Sequence, residues 1–453
     1  MNKSPVTGSS PNLFAWMAGH DRSPRPGPLF STAALLTTLC FVTGMALWGT
    51  HPQAGYFYAA GMVIGTPVLW AMRPWEATLP RPIRIYAAVY VGFLLMCTVH
   101  VLFRGASPGT IEYAARFLFG LINGFFFLQL FGQDRQALFR FVVLVAAAHW
   151  AVAVGYTIVV GLDFESLSRV GQRVGGNTNP IPYSLLYITS GGIVALALAD
   201  RIRPDRKVLT LTAIVVVLAA TTLAATISGS RGTLITMPLL VALVGALLWL
   251  RLGKAWSLGL FAVAIALFLA AAMTVFARDP QLWTTSWEYL AGEPHLVRRD
   301  SAASMRYDLW GAAIRLIPEQ PIFGHGISSL PEVLRHPLAG VPADSAILDF
   351  GHVHNEYLDI LLKAGIVGFI LFYTPMLIAL WLAWRGLADP ARLVWAIAVA
   401  WVVGAQLIYG LTSVMFAHAV TALQYGVYLG MLMFVLAPED SDARGEQLPP
   451  SPG

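Results

Sequence analysis

Lys207 to Ile227 reads KVLTLTAIVVVLAATTLAATI, and after its first residue it carries no charge, no proline and no glycine over the length a helix needs to cross a bilayer. Windows of the same kind centre near residues 30 to 50, 55 to 72, 84 to 103, 113 to 131, 137 to 160, 183 to 199, 233 to 250, 256 to 276, 358 to 384, 392 to 411 and 416 to 437. The expected fold is therefore an all-α integral membrane protein with about twelve transmembrane helices. Composition agrees: of 453 residues, 57% are apolar and only 12% charged, about half the charge a water-soluble globule carries.

The net charge of +5 comes from basic residues scattered between apolar stretches, which gives no nucleic-acid signal. Cys40 and Cys97 both lie inside apolar stretches, so neither a disulfide framework nor a zinc cluster is expected. Residues 1–28 are rich in Pro, Ser and Gly and read as a disordered cytoplasmic tail rather than a signal peptide. Residues 29–276 hold the first nine spans, 277–357 a long loop, 358–437 the last three spans, and 438–453 a second polar, Pro-rich tail. With both termini inside, Arg22, Arg25, Arg81, Arg84, Arg135, Arg140, Arg201, Arg203, Arg206, Lys207, Arg251, Lys254, Arg385 and Arg392 all fall on the cytoplasmic side, as the positive-inside rule requires. The loop between the ninth and tenth spans is then outside and is too long for a mere connection.

The outside cations are all arginine: Arg104, Arg116, Arg169, Arg173 and Arg231 in short connections, with others in the long loop. Arginine grips phosphate through a planar fork, although it is also simply the commoner cation in this chain. Within the loop, Ser304 to Ile317, SMRYDLWGAAIRLI, places Met305, Leu309, Ala312 and Leu316 on one stripe before Pro318, which predicts an amphipathic helix lying against the membrane surface.

Four outside segments have the residues for chemistry. In SGSRG, Ser228 to Gly232, Arg231 sits between two long apolar runs with Ser230 beside it; a cation there is costly unless it has a partner or snorkels to head groups. Arg306 stands one turn before Trp310 on the loop helix, either as an anion ligand or as an ordinary surface arginine. HNEYLDILLKAGIVG, His354 to Gly368, runs from the loop into the tenth span. This places His354 in the first helical turn, where the dipole disfavours an added proton and a neutral imidazole can act as a general base or merely orient the helix start. Asn355, Glu356 and Tyr357 suit that turn without any catalytic role. Arg173 to Ser184, RVGGNTNPIPYS, offers backbone N–H groups beside Arg169 and Arg173 as an anion cradle or only a turn. His352 and His354, with His325 and His336 in the same loop, raise the possibility of a metal, but Glu356 and Asp359 match no familiar zinc spacing; neither a metal nor another cofactor is expected. Lys363, in the tenth span, reads as paired within the bundle.

SGSRG, the Arg306-x-x-x-Trp310 helix, PEQPIFGHG at Pro318 to Gly326 and HNEYLD at His354 to Asp359, in that order on a twelve-span frame, resemble the bacterial O-antigen ligase and polymerase superfamily. The resemblance covers roughly residues 165 to 375 as motif. It implies a membrane-embedded, metal-independent, inverting glycosyltransferase of the bacterial inner membrane with a periplasmic active site. The donor would be an undecaprenyl-pyrophosphate-linked glycan and the acceptor the lipid A-core oligosaccharide; membrane lipids surround the protein and no nucleic acid is involved. Carried across, His354 would deprotonate the acceptor hydroxyl and Arg231 and Arg306 would bind the pyrophosphate. Arg173 and Arg169 would be weaker contributors, with Asn355, Trp310 and Ser230 in support. A covalent route would need a carboxylate nucleophile, for which Asp300, Asp308, Asp344 and Asp349 remain candidates.

Three rivals stand beside the ligase, one of them a protein O-oligosaccharyltransferase of the same superfamily. The polymerase branch is associated with an Arg-x10-Gly pattern in two loops; Arg315 and Gly326 fit it, but neither Arg169 nor Arg173 has glycine at the required place. A lipid-linked sugar flippase or other transporter has the same span number. It would show hydropathy repeats and midplane charge, whereas here the ionisable candidates sit at the outer rim.

Overall fold

The computed structural model describes residues 28–71, 79–104, 109–161, 176, 179–230, 234–278, 302–327 and 330–437. Within them the chain is helical with no strand: α1 Pro28–Ala46, α2 Ala54–Ala71, α3 Arg81–Arg104, α4 Gly109–Leu130, α5 Arg135–Gly161, α6 Pro180–Asp200, α7 Lys207–Ile227, α8 Met237–Leu252, α9 Lys254–Arg278, α10 Ala302–Leu316, α11 Leu330–Leu334, α12 Glu356–Gly386, α13 Leu393–Gly410 and α14 Ala419–Leu436. Nine of the described helices are long and apolar enough to cross a membrane, and Ser31–Ala46, Ala114–Leu130 and Met237–Leu252 are shorter apolar helices. Each window read from the sequence holds one of these, and the chain is a multi-pass membrane protein.

Burial orders the bundle. In α6 and α14, 89% of the spanning window is buried inside the protein, against 22% in α9, so the first two are central and the last faces lipid. The tightest crossing is that of α4 and α14. Gly120 and Gly124 on one helix meet Gly426 and Gly430 on the other, and a Cβ on Gly120 would fall inside the carbonyl of Gly426. Both pairs have the four-residue spacing that lets helix backbones approach closely in lipid, where packing rather than hydrophobic burial drives association. Replacing Gly430 with valine should force the helices apart and destabilise the protein by about 1–3 kcal/mol or more. Thermal unfolding in detergent would register this as a lowered Tm, while Gly155→Ala, which meets nothing within 4 Å, should not lower it.

A buried polar net ties α1, α5, α6 and α14. Nε2 of His149 lies 3.2 Å from the Trp48 carbonyl, which can only accept, so Nε2 carries the proton and Nδ1 accepts from Ser190 Oγ at 2.7 Å or Gln424 Nε2 at 3.1 Å. Every ring nitrogen is thus satisfied without a charge in the bilayer.

The feature that positions the site is a break in α12. Gly365 adopts φ 63° and ψ −166°, and the two halves fold back on each other so that Tyr357 stacks on Tyr373 with ring centroids 5.3 Å apart. In a straight helix these residues would be about 24 Å apart. Breaking a helix frees carbonyls on one side and N–H groups on the other, and these need partners. The Pro321–Gly326 turn supplies them: His325 and Gly326 donate to the carbonyls of Leu362 and Lys363 at 2.8 and 2.9 Å, while the carbonyls of Pro321 and Ile322 accept from Ile366 and Val367 at 2.8 and 3.1 Å. A side chain on Gly324 would strike the Lys363–Ala364 peptide and one on Gly365 the Ile322 carbonyl, so the clasp needs glycine on both sides.

The loop helix does form, but its apolar stripe does not face a membrane. Leu309, Ala312 and Leu316 are fully buried in a small separate core with Leu330, Leu334, Ile347, Val353 and Leu362. The clasp fixes the end of α10 as well, because Nε2 of His325 donates to the Leu316 carbonyl at 2.9 Å.

Candidate functional site

His354 precedes α12 rather than lying in its first turn. Asn355 is the N-cap, accepting the Leu358 N–H at 3.1 Å, and its extended backbone leaves His354 at φ 56°. Left-handed backbone at a non-glycine residue is sustained only where its surroundings fix it, a pattern that recurs at functional sites. Here the fixing is explicit. The Val353 carbonyl accepts from Trp310 Nε1 at 3.1 Å, and the Val353 N–H donates to Asp359 Oδ1 at 2.9 Å. Lys363 Nζ is 2.9 Å from Asp359 Oδ2 and donates to the Gly351 carbonyl at 2.9 Å. Lys363 is therefore paired, as its sequence position requires, and its pair splints the His352–Val353–His354 backbone.

The next residue ties this splint to a distant segment. Glu356, 1% exposed, accepts from Gln406 Nε2 on α13 and from the Phe416 N–H, both at 3.0 Å. Tyr357 donates to the Leu407 carbonyl at 2.7 Å. Residues 411–418, between α13 and α14, are thereby held against the start of α12, and His418 arrives beside the histidine pair. The rings of His352 and His354 meet edge to face at 4.2 Å, and those of His352 and His418 at 5.3 Å. His418 was not singled out in the sequence, where no motif surrounds it.

Electrostatically the site disfavours protons. Burial, then the Arg306 guanidinium and His418, lower His354 to about 4. Burial, then His354, His418, Lys363 and Arg306, lower His352 further, and burial alone lowers His418 to about 4. All three are neutral imidazoles at neutral pH. The Nδ1 atoms of His352 and His354 are buried and have no hydrogen-bond partner, so each has unused capacity for a ligand.

Arg306, half-buried on α10, lies close enough to both rings to shift them, and Trp310 one turn later holds the Val353 carbonyl. The structure thus brings together His354, Arg306, Trp310 and Asn355. At Ser230, Gly229 at φ 67°, with Ser230 and Gly229 N–H groups donating to the Ala225 and Thr226 carbonyls, forms the left-handed cap that ends α7, and Ser230 Oγ donates to the Pro180 carbonyl at 2.8 Å. Ser230 is a brace between α7 and the start of α6. In the Arg173–Ser184 segment, Asn179 caps α6 by accepting the Ile181 N–H at 3.0 Å. Arg231, Arg169 and Arg173 lie outside the described residues.

A family model described as O-Antigen ligase matches residues 214–373, which run from within α7 through α10, the clasp and the histidine pair into α12. An O-antigen ligase of Pseudomonas aeruginosa is 30% identical over 164 residues, 36% of this chain and 34% of that protein. An uncharacterized protein of Haemophilus influenzae is 29% identical over 150 residues, 32% of this chain and 36% of its own. The match thus spans about a third of the length of these curated relatives. The family model covers Arg306, Trp310, the clasp and the His352–His354 pair but not the 411–418 segment, and over the covered residues this chain is similar to the O-antigen ligase family.

Proposed function

We propose that this protein is an O-antigen ligase, a glycosyltransferase of the bacterial inner membrane. It would move a glycan whole from undecaprenyl pyrophosphate to the lipid A-core oligosaccharide at a periplasmic site. The observation that carries the reading is His354, a neutral imidazole with a buried, unpartnered Nδ1 on a braced left-handed residue beside Arg306.

In this reading His354 takes the proton of the acceptor hydroxyl as the oxygen bonds to the anomeric carbon. The bond from that carbon to the pyrophosphate oxygen breaks, and its electron pair leaves with the pyrophosphate. One direct displacement inverts the anomeric centre and needs a base that is neutral at working pH. Charge grows on the leaving group, where fixed guanidinium groups in a poorly hydrated site stabilise it. Arg306 has that role, joined by Arg231 and, more weakly, Arg173 and Arg169, three residues assigned from sequence alone. Both termini would be cytoplasmic.

Expression in a Gram-negative strain lacking its own ligase tests the reading. Restored glycan-bearing lipopolysaccharide on a gel supports it; unchanged lipopolysaccharide with longer lipid-linked glycan would make the protein a polymerase instead. In the same strain Arg306→Lys should cut transfer about a hundredfold, because the charge stays but the two-pronged grip is lost. A full ladder from that variant would remove Arg306 from donor binding.

A further inference from the structure

His418 lies outside the family-matched residues, yet it completes a row of three imidazoles with His352 and His354. Its place is built rather than incidental. Glu356 binds the Phe416 N–H at 3.0 Å, and Asn355 Nδ2 donates to the Leu411 carbonyl at 3.4 Å, so the two residues that follow His354 grip both ends of the 411–418 segment. Thr421 Oγ1 lies 3.0 Å from the carbonyls of both Met415 and His418, closing the turn that presents the ring. His352 thus meets two rings edge to face, His354 on its own segment and His418 from a segment far later in the chain.

We propose that His418 is a positioning residue for the transfer reaction, holding the His352–His354 pair in its working orientation from the 411–418 segment. This rests on the reading of His354 as the base. Edge-to-face contact fixes ring planes, and a base works only when its lone pair points at the proton it removes. His418 acts through charge as well. The charged and titratable groups acting on the row are Arg306 from α10, Lys363 from the first half of α12 and His418 itself from the 411–418 segment, while Asp359 and Glu356 lie on that same half of α12. Asp359 is engaged by Lys363 and the Val353 N–H, and Glu356 by Gln406 and the Phe416 N–H, so neither carboxylate is directed at the rings. A proton on any one imidazole therefore disfavours a proton on the next.

The test is the pH profile of transfer by purified protein from a lipid-linked glycan to lipid A-core, with two variants. His418→Phe keeps an edge-on ring but removes the titrating group. It should raise the acid midpoint of kcat by roughly half a pH unit, since His354 loses a neighbour that opposes its protonation. His418→Ala removes the ring and should lower kcat about tenfold with the KM for the lipid-linked donor unchanged. Wild-type kcat and midpoint in His418→Ala would overturn the proposal, as would an unshifted midpoint in His418→Phe, which decides alone if the alanine variant does not fold. His354→Ala is measured alongside. Its full activity would remove the base reading itself, whereas an inactive His354→Ala with unaltered His418 variants would remove only the role of His418.

Discussion

Replacing His354 with alanine abolishes transfer, a loss of about 10²–10⁴-fold or more, while Tm and gel-filtration behaviour stay close to those of the parent protein. The side chain can be removed cheaply because its Nδ1 makes no hydrogen bond that the fold would miss, and alanine leaves the capping Asn355 and the splinted Val353 in place. Its pH dependence follows from its surroundings. Because burial and then Arg306 lower His354 from 6.5 to about 4, the imidazole stays a competent base until the pH falls through about 4. The parent enzyme should therefore keep its rate across the range in which an unperturbed histidine would already be protonated. An acid limb centred near 6.5, or near-normal transfer by His354→Ala, would remove His354 from the role of base.

The second large effect is expected at Lys363. Its ammonium and the Asp359 carboxylate are 7% and 1% exposed. Lys363→Met would leave Asp359 as a buried charge with the Val353 N–H as its remaining partner and would strip the Gly351 carbonyl of its donor. The expected cost is about 3–5 kcal/mol, read as a lower Tm, with transfer lost because the histidine backbone is no longer splinted. Adding Asp359→Leu removes the stranded charge and should recover most of the stability, since buried pairs are often replaceable by apolar side chains. It should not recover transfer, because Val353 and Gly351 still lack their partners. Normal unfolding and normal transfer by Lys363→Met would show that the ion pair does not brace the site.

The span positions were legible because a bilayer demands apolar windows of a set length, and nothing else in a chain of this composition produces them. The break at Gly365 was not. Residues 356–386 read as one long apolar helix, and the reason to stop at Gly365 lies in the Pro321–Gly326 turn, some forty residues earlier, whose backbone satisfies both broken ends. That turn was visible as a family signature but not as a clasp, because its hydrogen bonds are tertiary. For the same reason the stripe on α10 gave the right helix and the wrong partner, since periodicity reports which face is buried but not against what. The close approach at glycines 120, 124, 426 and 430 was not read from the sequence, because the four-residue spacing that permits it does not say which helix it meets. At the site, His354, Arg306 and Trp310 were recoverable from ordered motifs, whereas His418 reaches the same cluster through Glu356 and the Phe416 N–H, a link no local pattern encodes.

The central claim is tested most directly by supplying purified protein in detergent with an undecaprenyl-pyrophosphate-linked glycan and lipid A-core, with EDTA present, and following glycan on both lipids. The account predicts glycan on the lipid A-core without added metal, and none with His354→Ala. Longer lipid-linked glycan with no transfer to the core, or no reaction at all from protein that is folded, would contradict it.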